Sequence, residues 1–191
     1  MSKTNFQSLS NHFLVAMPAL EDSNFSRTVT LICQHNSNGA LGVTINRTIK
    51  SLNINDILHQ CSLPKTELVN IGQQPVYVGG PIHTELGLVL HRGVGTWQST
   101  LNIGDQLGLT SSRDVFEAIA NSGGPDDCLL VLGYAGWEAG QLDREIGQNS
   151  WLTVPADPSI IFEVDVEQRW AKAATSLGIN IAALSRIAGH A

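Results

Sequence analysis

CLLVLGYAGWEAGQLDREI, residues 128 to 146, decides how this chain is read. Cys128 to Leu132 is continuously apolar, as in a strand covered on both faces. The fourteen residues that follow hold three glycines, a tyrosine, a tryptophan and three acids. Gly133 and Gly136 supply backbone freedom, while Tyr134 and Trp137 carry rings to bury. With a helix starting near Gly140, Leu142 and Ile146 form an apolar stripe and Gln141 and Glu145 a polar one, each at i, i+4. The stretch reads as a strand-to-helix corner, a place where folds of this kind often put sites. Gln141 and Glu145 are its candidate site residues. The structural alternative has Glu145 hydrogen-bonding a loop.

Working outward, His12 to Met17 reads as a strand closed by Pro18, and residues 18–27 as turns with room for one helical turn. Val29, Leu31 and Cys33 alternate, as do Leu41, Val43 and Ile45, around the turn QHNSNG; this predicts a β-hairpin. LNINDILHQ, residues 52–60, predicts a short amphipathic helix, and residues 62–74 a loop. Val76 to Val78 runs into Gly79-Gly80-Pro81, and Leu86, Leu88 and Leu90 alternate after it, which predicts a second hairpin. A strand follows at Leu107 to Thr110. Ser111 and Asp114 have capping-box spacing at the start of a helix that Asn121 to Pro125 ends. Trp151 to Val154 and Ile160 to Val164 read as strands. Asp165 and Gln168 then cap a helix that Gly178 stops, and Asn180 caps a last one through Ile181, Leu184 and Ile187. The whole is one α+β domain, residues 11–191, behind a flexible tail, residues 1–10, with a mixed, largely antiparallel sheet.

Charge narrows the function. Eleven basic residues, spread without a run, face 17 acids for a net charge of −6, which argues against direct nucleic-acid binding. Three cysteines without C-x-x-C imply no disulfide framework. No signal-peptide core and no apolar segment of roughly 18 residues is present, so membrane insertion is not expected and the cytoplasm is the predicted compartment.

Signatures of phosphate loops, dinucleotide folds, nucleophile elbows and metalloproteases are missing. Cys33-x-His35 and His59-x-Cys61 together offer four zinc-type ligands. Free cysteine is more often a small core residue, and the reading adopted has no metal and no cofactor. Gly79-Gly80 at a strand end admits another backbone or a ligand, or makes a tight turn. His83 and His91 follow, His91 as an acid–base group near neutral pH or a structural ring. Free amides, two hydroxyls and Arg113 at Ser111 to Asp114 could hold an anion or simply cap the helix.

The ordered motifs resemble those of the AlgH/YqgE family of bacterial proteins: HFLVAMPAL at 12–20, ICQHNSNGALGVTIN at 32–46, VGGP at 78–81, TSSRDV at 110–115, GYAGW through GQL to EI at 133–146, WLTVPAD at 151–157 and RWAKAATSLGI at 169–179. The likeness covers nearly the whole chain. It implies a sheet folded into a pseudo-barrel with flanking helices, a cytosolic bacterial protein, and a transcriptional-regulator label without an established activity or cofactor. Cys33, His35, Asn36, Asn46, Gly79, Gly80, Pro81, Ser112, Arg113, Asp114, Tyr134, Trp137, Gln141 and Glu145 fall on its motifs; His59 and Cys61 do not. Gln34 stands where the family usually has an acid. Of these, His35, Asn46, Gly79, Gly80, Arg113, Tyr134, Trp137, Gln141 and Glu145 are the ligand-binding candidates, with no catalytic residue assigned. The expected function is a non-catalytic binding or regulatory protein with a protein or small-molecule partner. The alternative is an enzyme whose site joins the 133–146 turn to His35, Asn46 or Arg113. A pocket gathering Glu145, Tyr134 and a histidine would favour the enzyme.

Overall fold

The computed structural model describes residues 7–95 and 97–179. Strands β1 (His12–Ala16), β2 (Val29–Asn36) and β3 (Gly39–Thr44) form an antiparallel meander, with the hairpin at the Asn/Gly turn. Between β1 and β2 the Asp22 carbonyl accepts from the Phe25 and Ser26 amides, a single helical turn. Strand β4 (Thr48–Asn53), which has no clean alternation, leads into α1 (Ile54–Gln60). Asn53 and Asp56 make a reciprocal capping box there, so the helix is shorter than residues 52–60. The loop after it contains a short helix, α2 (Val69–Gly72).

The second expected hairpin does not form. Strands β5 (Pro75–Val78) and β6 (Ile82–Arg92) do not pair with each other. Strands β7 (Thr100–Ile103) and β8 (Leu107–Thr110) and helix α3 (Arg113–Ala120) come next, and then β9 (Cys128–Glu138). Strand β9 runs between β5, which it meets in parallel, and β6, which it meets antiparallel, and its far half pairs with β3. With the last strand, β10 (Trp151–Pro155), the sheet order is β10-β1-β2-β3-β9-β6-β8-β7, with β5 attached beside β9 and β4 beside β5. It curls until the edge strand β7 lies against β2, giving a half-barrel.

Gly133 is therefore not the end of the strand, as the sequence suggested, but a bulge within it. Leu129 and Val131 face the inner core, and Tyr134, one residue out of phase, packs against the same core. Cys128 and Leu130 face the outer helices α1 to α3, while Ala135 and Trp137 face the outer layer at the other end. Gly133 lies in the left-handed region (φ 70°) at this slip, and the pairing with β6 is irregular across it, Leu132 opposing Gly87 and Tyr134 opposing Ile82. Gly79 and Gly80 provide the room. A Cβ on Gly79 would lie 2.2 Å from the Gly133 carbonyl oxygen, and one on Gly80 2.2 Å from the Tyr134 carbonyl carbon. The two glycines are a backbone crossing over β9, not a tight turn.

The corner proper is Ala139-Gly140, followed by α4 (Gln141–Gly147) and β10 (Trp151–Pro155). The strand expected at Ile160 to Val164 does not form; helix α5 (Pro158–Phe162) takes its first residues. The Asp157 carboxylate accepts from the Ser159 amide and Pro158 occupies the first turn, and these start signals override the apolar, β-branched run. A 3₁₀ turn, Val166–Gln168, leads into α6 (Arg169–Thr175), without the side-chain cap expected from Asp165. Helices α5 and α6 cover the inner core through Ile160, Ile161, Ala173 and Ala174. The helix expected from Asn180 lies outside the described residues.

Candidate functional site

The corner residues converge on one carboxylate. Gly140 (φ 68°) redirects the chain so that Gln141 and Glu145 lie one turn apart on α4. The Glu138 amide donates to Gln141 Oε1 at 2.9 Å, and Gln141 Nε2 donates to Glu145 Oε1 at 2.8 Å. Glu145 Oε2 accepts two indole protons, from Trp137 at 2.9 Å and Trp151 at 2.8 Å. The two indoles stand edge to face with centroids 6.3 Å apart, and Phe25 packs on both. Buried Leu142 sits beneath them. Both Glu145 oxygens are thus occupied by protein donors, and the half-buried carboxylate clamps β9, α4 and β10 together. Trp151 and Phe25 complete this cluster without any spacing that relates them to Glu145.

The other candidates sit elsewhere. His35, 5% exposed, accepts the Leu9 amide on Nδ1 at 3.1 Å, and its Nε2 lies 3.9 Å from Asp143. Ser8 and Ser10 hydrogen-bond the His35 backbone, so the described end of the tail is tied to β2. Asn46 bridges the Val29 amide and the Arg27 carbonyl, where Arg27 turns at φ 55°. Tyr134 approaches His83, rings 5.9 Å apart, and not Glu145. Arg113 lies exposed on α3, paired with Glu117 at 2.8 Å and reaching the Cys61 carbonyl. The Ser111–Asp114 capping box is not formed. Instead the Ser112 hydroxyl donates to Asp114, which also accepts the Gln98 and Val115 amides and is held below its ordinary carboxylate range, the Ser112 bond being the largest cause. With its carboxylate here, this helix start is no prepared anion site.

The cysteines and His91 belong to the interior. Burial pushes the Cys33 and Cys128 thiols up to about 12, far from the reactive thiolate range. Cys33 lies in the inner core and Cys61 against the outer helices, so the two zinc-type pairs do not converge. Among the described residues no three His, Cys, Asp or Glu side chains group as a metal site.

His91, 2% exposed, bonds Thr110 through Nε2 at 2.9 Å, and Thr110 bonds Thr100 at 2.7 Å. Burial lowers its pKa below the ordinary 6.5. The unfolded chain therefore binds this proton more readily, so the contribution is complete above pH 6.5 and is lost as pH falls through the folded value. Urea unfolding between pH 8 and 5 is expected to show stability falling as pH drops, with His91→Gln losing that part of the slope. An unchanged slope in the variant would contradict the assignment.

On the outside, Gln34, Asn36, Asn38, Gly39, Leu41 and Trp137 line a polar hollow of about 210 Å³ at the β2–β3 hairpin. The Gln34 side chain has no hydrogen-bond partner among the described residues, and Asn36 Oδ1 only tethers the Asn38 amide. The Asn/Gly turn was legible in the sequence, but its gathering of amides beside an indole was not.

Comparison with known proteins places this geometry. A family model described as AlgH-like matches residues 13–182. A UPF0301 protein of Saccharophagus degradans is 51% identical over 186 residues, covering 97% of this chain and 90% of its own. One from Dechloromonas aromatica is 50% identical over 183 residues, covering 96% and 97%. The solution structure of the AlgH protein from Pseudomonas aeruginosa matches with a TM-score of 0.78 at 44% identity over the whole of both chains. A crystal structure from Corynebacterium diphtheriae, 22% identical, shares the fold with a TM-score of 0.72, covering 97% of this chain and 94% of its own.

Proposed function

The chain belongs to the AlgH-like family, and we propose that it is a non-catalytic binding protein of the bacterial cytoplasm that regulates through a protein or small-molecule partner rather than by contacting DNA. The observation that carries this reading is how the motif side chains are used. Glu145, Gln141 and Asn46 spend their hydrogen bonds on the fold, and Gly79 and Gly80 are crossing points. Among the described residues Tyr134 packs beside His83, whereas Glu145 bonds the two indoles. The polar hollow at the hairpin is a motif surface open to a partner, with Trp137 as its aromatic wall. Neutral amides beside an indole suit hydrogen-bonded recognition of an uncharged polar group. The net charge of −6 supports the absence of DNA contact. Among the described residues no helix is long and apolar enough to cross a membrane.

A thermal-shift screen of a metabolite library tests the reading. A ligand at about 100 times its Kd is expected to raise the melting temperature by roughly 5–10 °C. The gain should shrink in a Gln34→Ala/Asn36→Ala double variant, and the ligand should be recovered chemically unchanged. Turnover of the bound compound, or a salt-sensitive shift of duplex DNA, would contradict it.

A further inference from the structure

Arg169 is 4% exposed and carries its charge into the interior. Its Nε donates to the Val164 carbonyl at 2.9 Å, Nη1 donates to the Ile45 carbonyl, and the guanidinium lies 5.3 Å from the Tyr77 ring centroid. Among the described residues no carboxylate pairs with it. A buried cation without an anion is costly, because charge taken out of water is normally paired. Two hydrogen bonds also leave donors of the five-proton guanidinium unspent.

The unspent donors have somewhere to go. Arg169 and Tyr77 line a cavity of about 130 Å³ with Gln74, Phe162, Asp126 and Asp127. Tyr77 is 3% exposed, and neither its hydroxyl nor Arg169 Nη2 has a hydrogen-bond partner among the described residues. No fully sealed side-chain donor in the described residues lacks a partner, so these two must touch open space. The cavity is the open space that both side chains line. It offers two donors and a positive charge to an oxyanion.

The same lining also carries the opposite sign, on Asp126 and Asp127. Asp127 is bound by Arg92 Nε at 2.7 Å, and Arg92 Nη2 also holds Glu163 at 3.0 Å while stacking over Phe162. Asp126 has no ion-pair partner among the described residues. A dianion would meet this acidic rim, whereas a molecule with a carboxylate at one end and an ammonium at the other matches both. The volume corresponds to about four waters, which limits the occupant to a handful of heavy atoms.

We propose that this cavity binds a small zwitterion of the amino-acid type, its carboxylate on Arg169 and Tyr77 and its ammonium toward Asp126. The site goes beyond the hairpin hollow and shares no residue with it, so either can fail alone.

NMR titration of the full chain with L-alanine, acetate, methylammonium, inorganic phosphate and L-leucine tests it. Alanine is expected to perturb the Tyr77 and Arg169 resonances saturably below about 10 mM. Acetate should bind about tenfold more weakly, and methylammonium, phosphate and the bulkier leucine should not saturate. Arg169 variants risk the fold, since two carbonyls depend on the guanidinium. Tyr77→Phe removes only an unbonded hydroxyl, so the unliganded melting temperature should hold while alanine affinity falls about fivefold to tenfold. Asp126→Asn should erase the preference for alanine over acetate. No saturable perturbation by alanine, equal binding of acetate in the wild type, or unchanged alanine affinity in Tyr77→Phe would each overturn the proposal.

Discussion

Gly80→Ala is expected to leave the chain unable to reach its native fold, with a loss above about 4 kcal/mol. The added Cβ would sit 2.2 Å from the Tyr134 carbonyl carbon and 2.3 Å from the Ala135 amide nitrogen. Both obstacles are backbone, so no side chain can swing aside. Relief would have to come from separating β5 and β6 from β9, yet Gly79 is bonded to both neighbours: its amide donates to the Leu132 carbonyl and its carbonyl accepts the Thr44 amide. Circular dichroism and soluble yield are the readouts. Gly147→Ala is the control, since a Cβ there meets nothing within 4 Å; it should be neutral or slightly stabilising. A Gly80→Ala protein melting like the wild type would mean that β9 does not run under this crossing.

The second large effect belongs to Glu145. Removing its carboxylate in Glu145→Ala strands the indole N–H groups of Trp137 and Trp151, which are 6% and 5% exposed, and frees Gln141. Leaving buried donors without acceptors costs about 1–3 kcal/mol each, moderated here because the carboxylate is only half-buried. A total of about 2–4 kcal/mol is expected, a drop of roughly 5–15 °C in melting temperature, with altered tryptophan fluorescence. Glu145→Gln should lose less, about 1 kcal/mol, because one oxygen still accepts from the indoles while its amide faces Gln141 Nε2.

What the sequence disclosed was local. Alternation in Val29–Cys33 and Leu41–Ile45 located the first hairpin, and the i, i+4 spacing placed Gln141 beside Glu145 on a helix starting where Gly140 allows. What it hid was non-local. Whether a glycine after an apolar run ends a strand or bulges within it depends on what crosses it, and for Gly133 that is Gly79-Gly80. The second hairpin failed for the same reason: β9, from far along the chain, takes the place between β5 and β6. At residues 158–162 both signals were legible, an Asp-Pro-Ser helix start and an apolar run rich in β-branching, and the cap prevailed. For the site, the two indoles on Glu145 come from flanking strands whose facing is set by the bulge, so no spacing rule pairs them. Arg169 and Tyr77 meet only because α6 closes over the inner core to which Tyr77 of β5 contributes.

In the 133–146 segment the Glu145 carboxylate holds the Trp137 and Trp151 indoles and so clamps β9, α4 and β10 together. A double-mutant cycle between Glu145→Ala and Trp151→Phe, read by urea unfolding, tests this clamp most directly. A coupling of about 1–2 kcal/mol is expected, because each change removes one half of the same charge-assisted hydrogen bond. Additive or near-zero losses would show that the carboxylate does not hold the indole in solution, and the segment would again be open as a site.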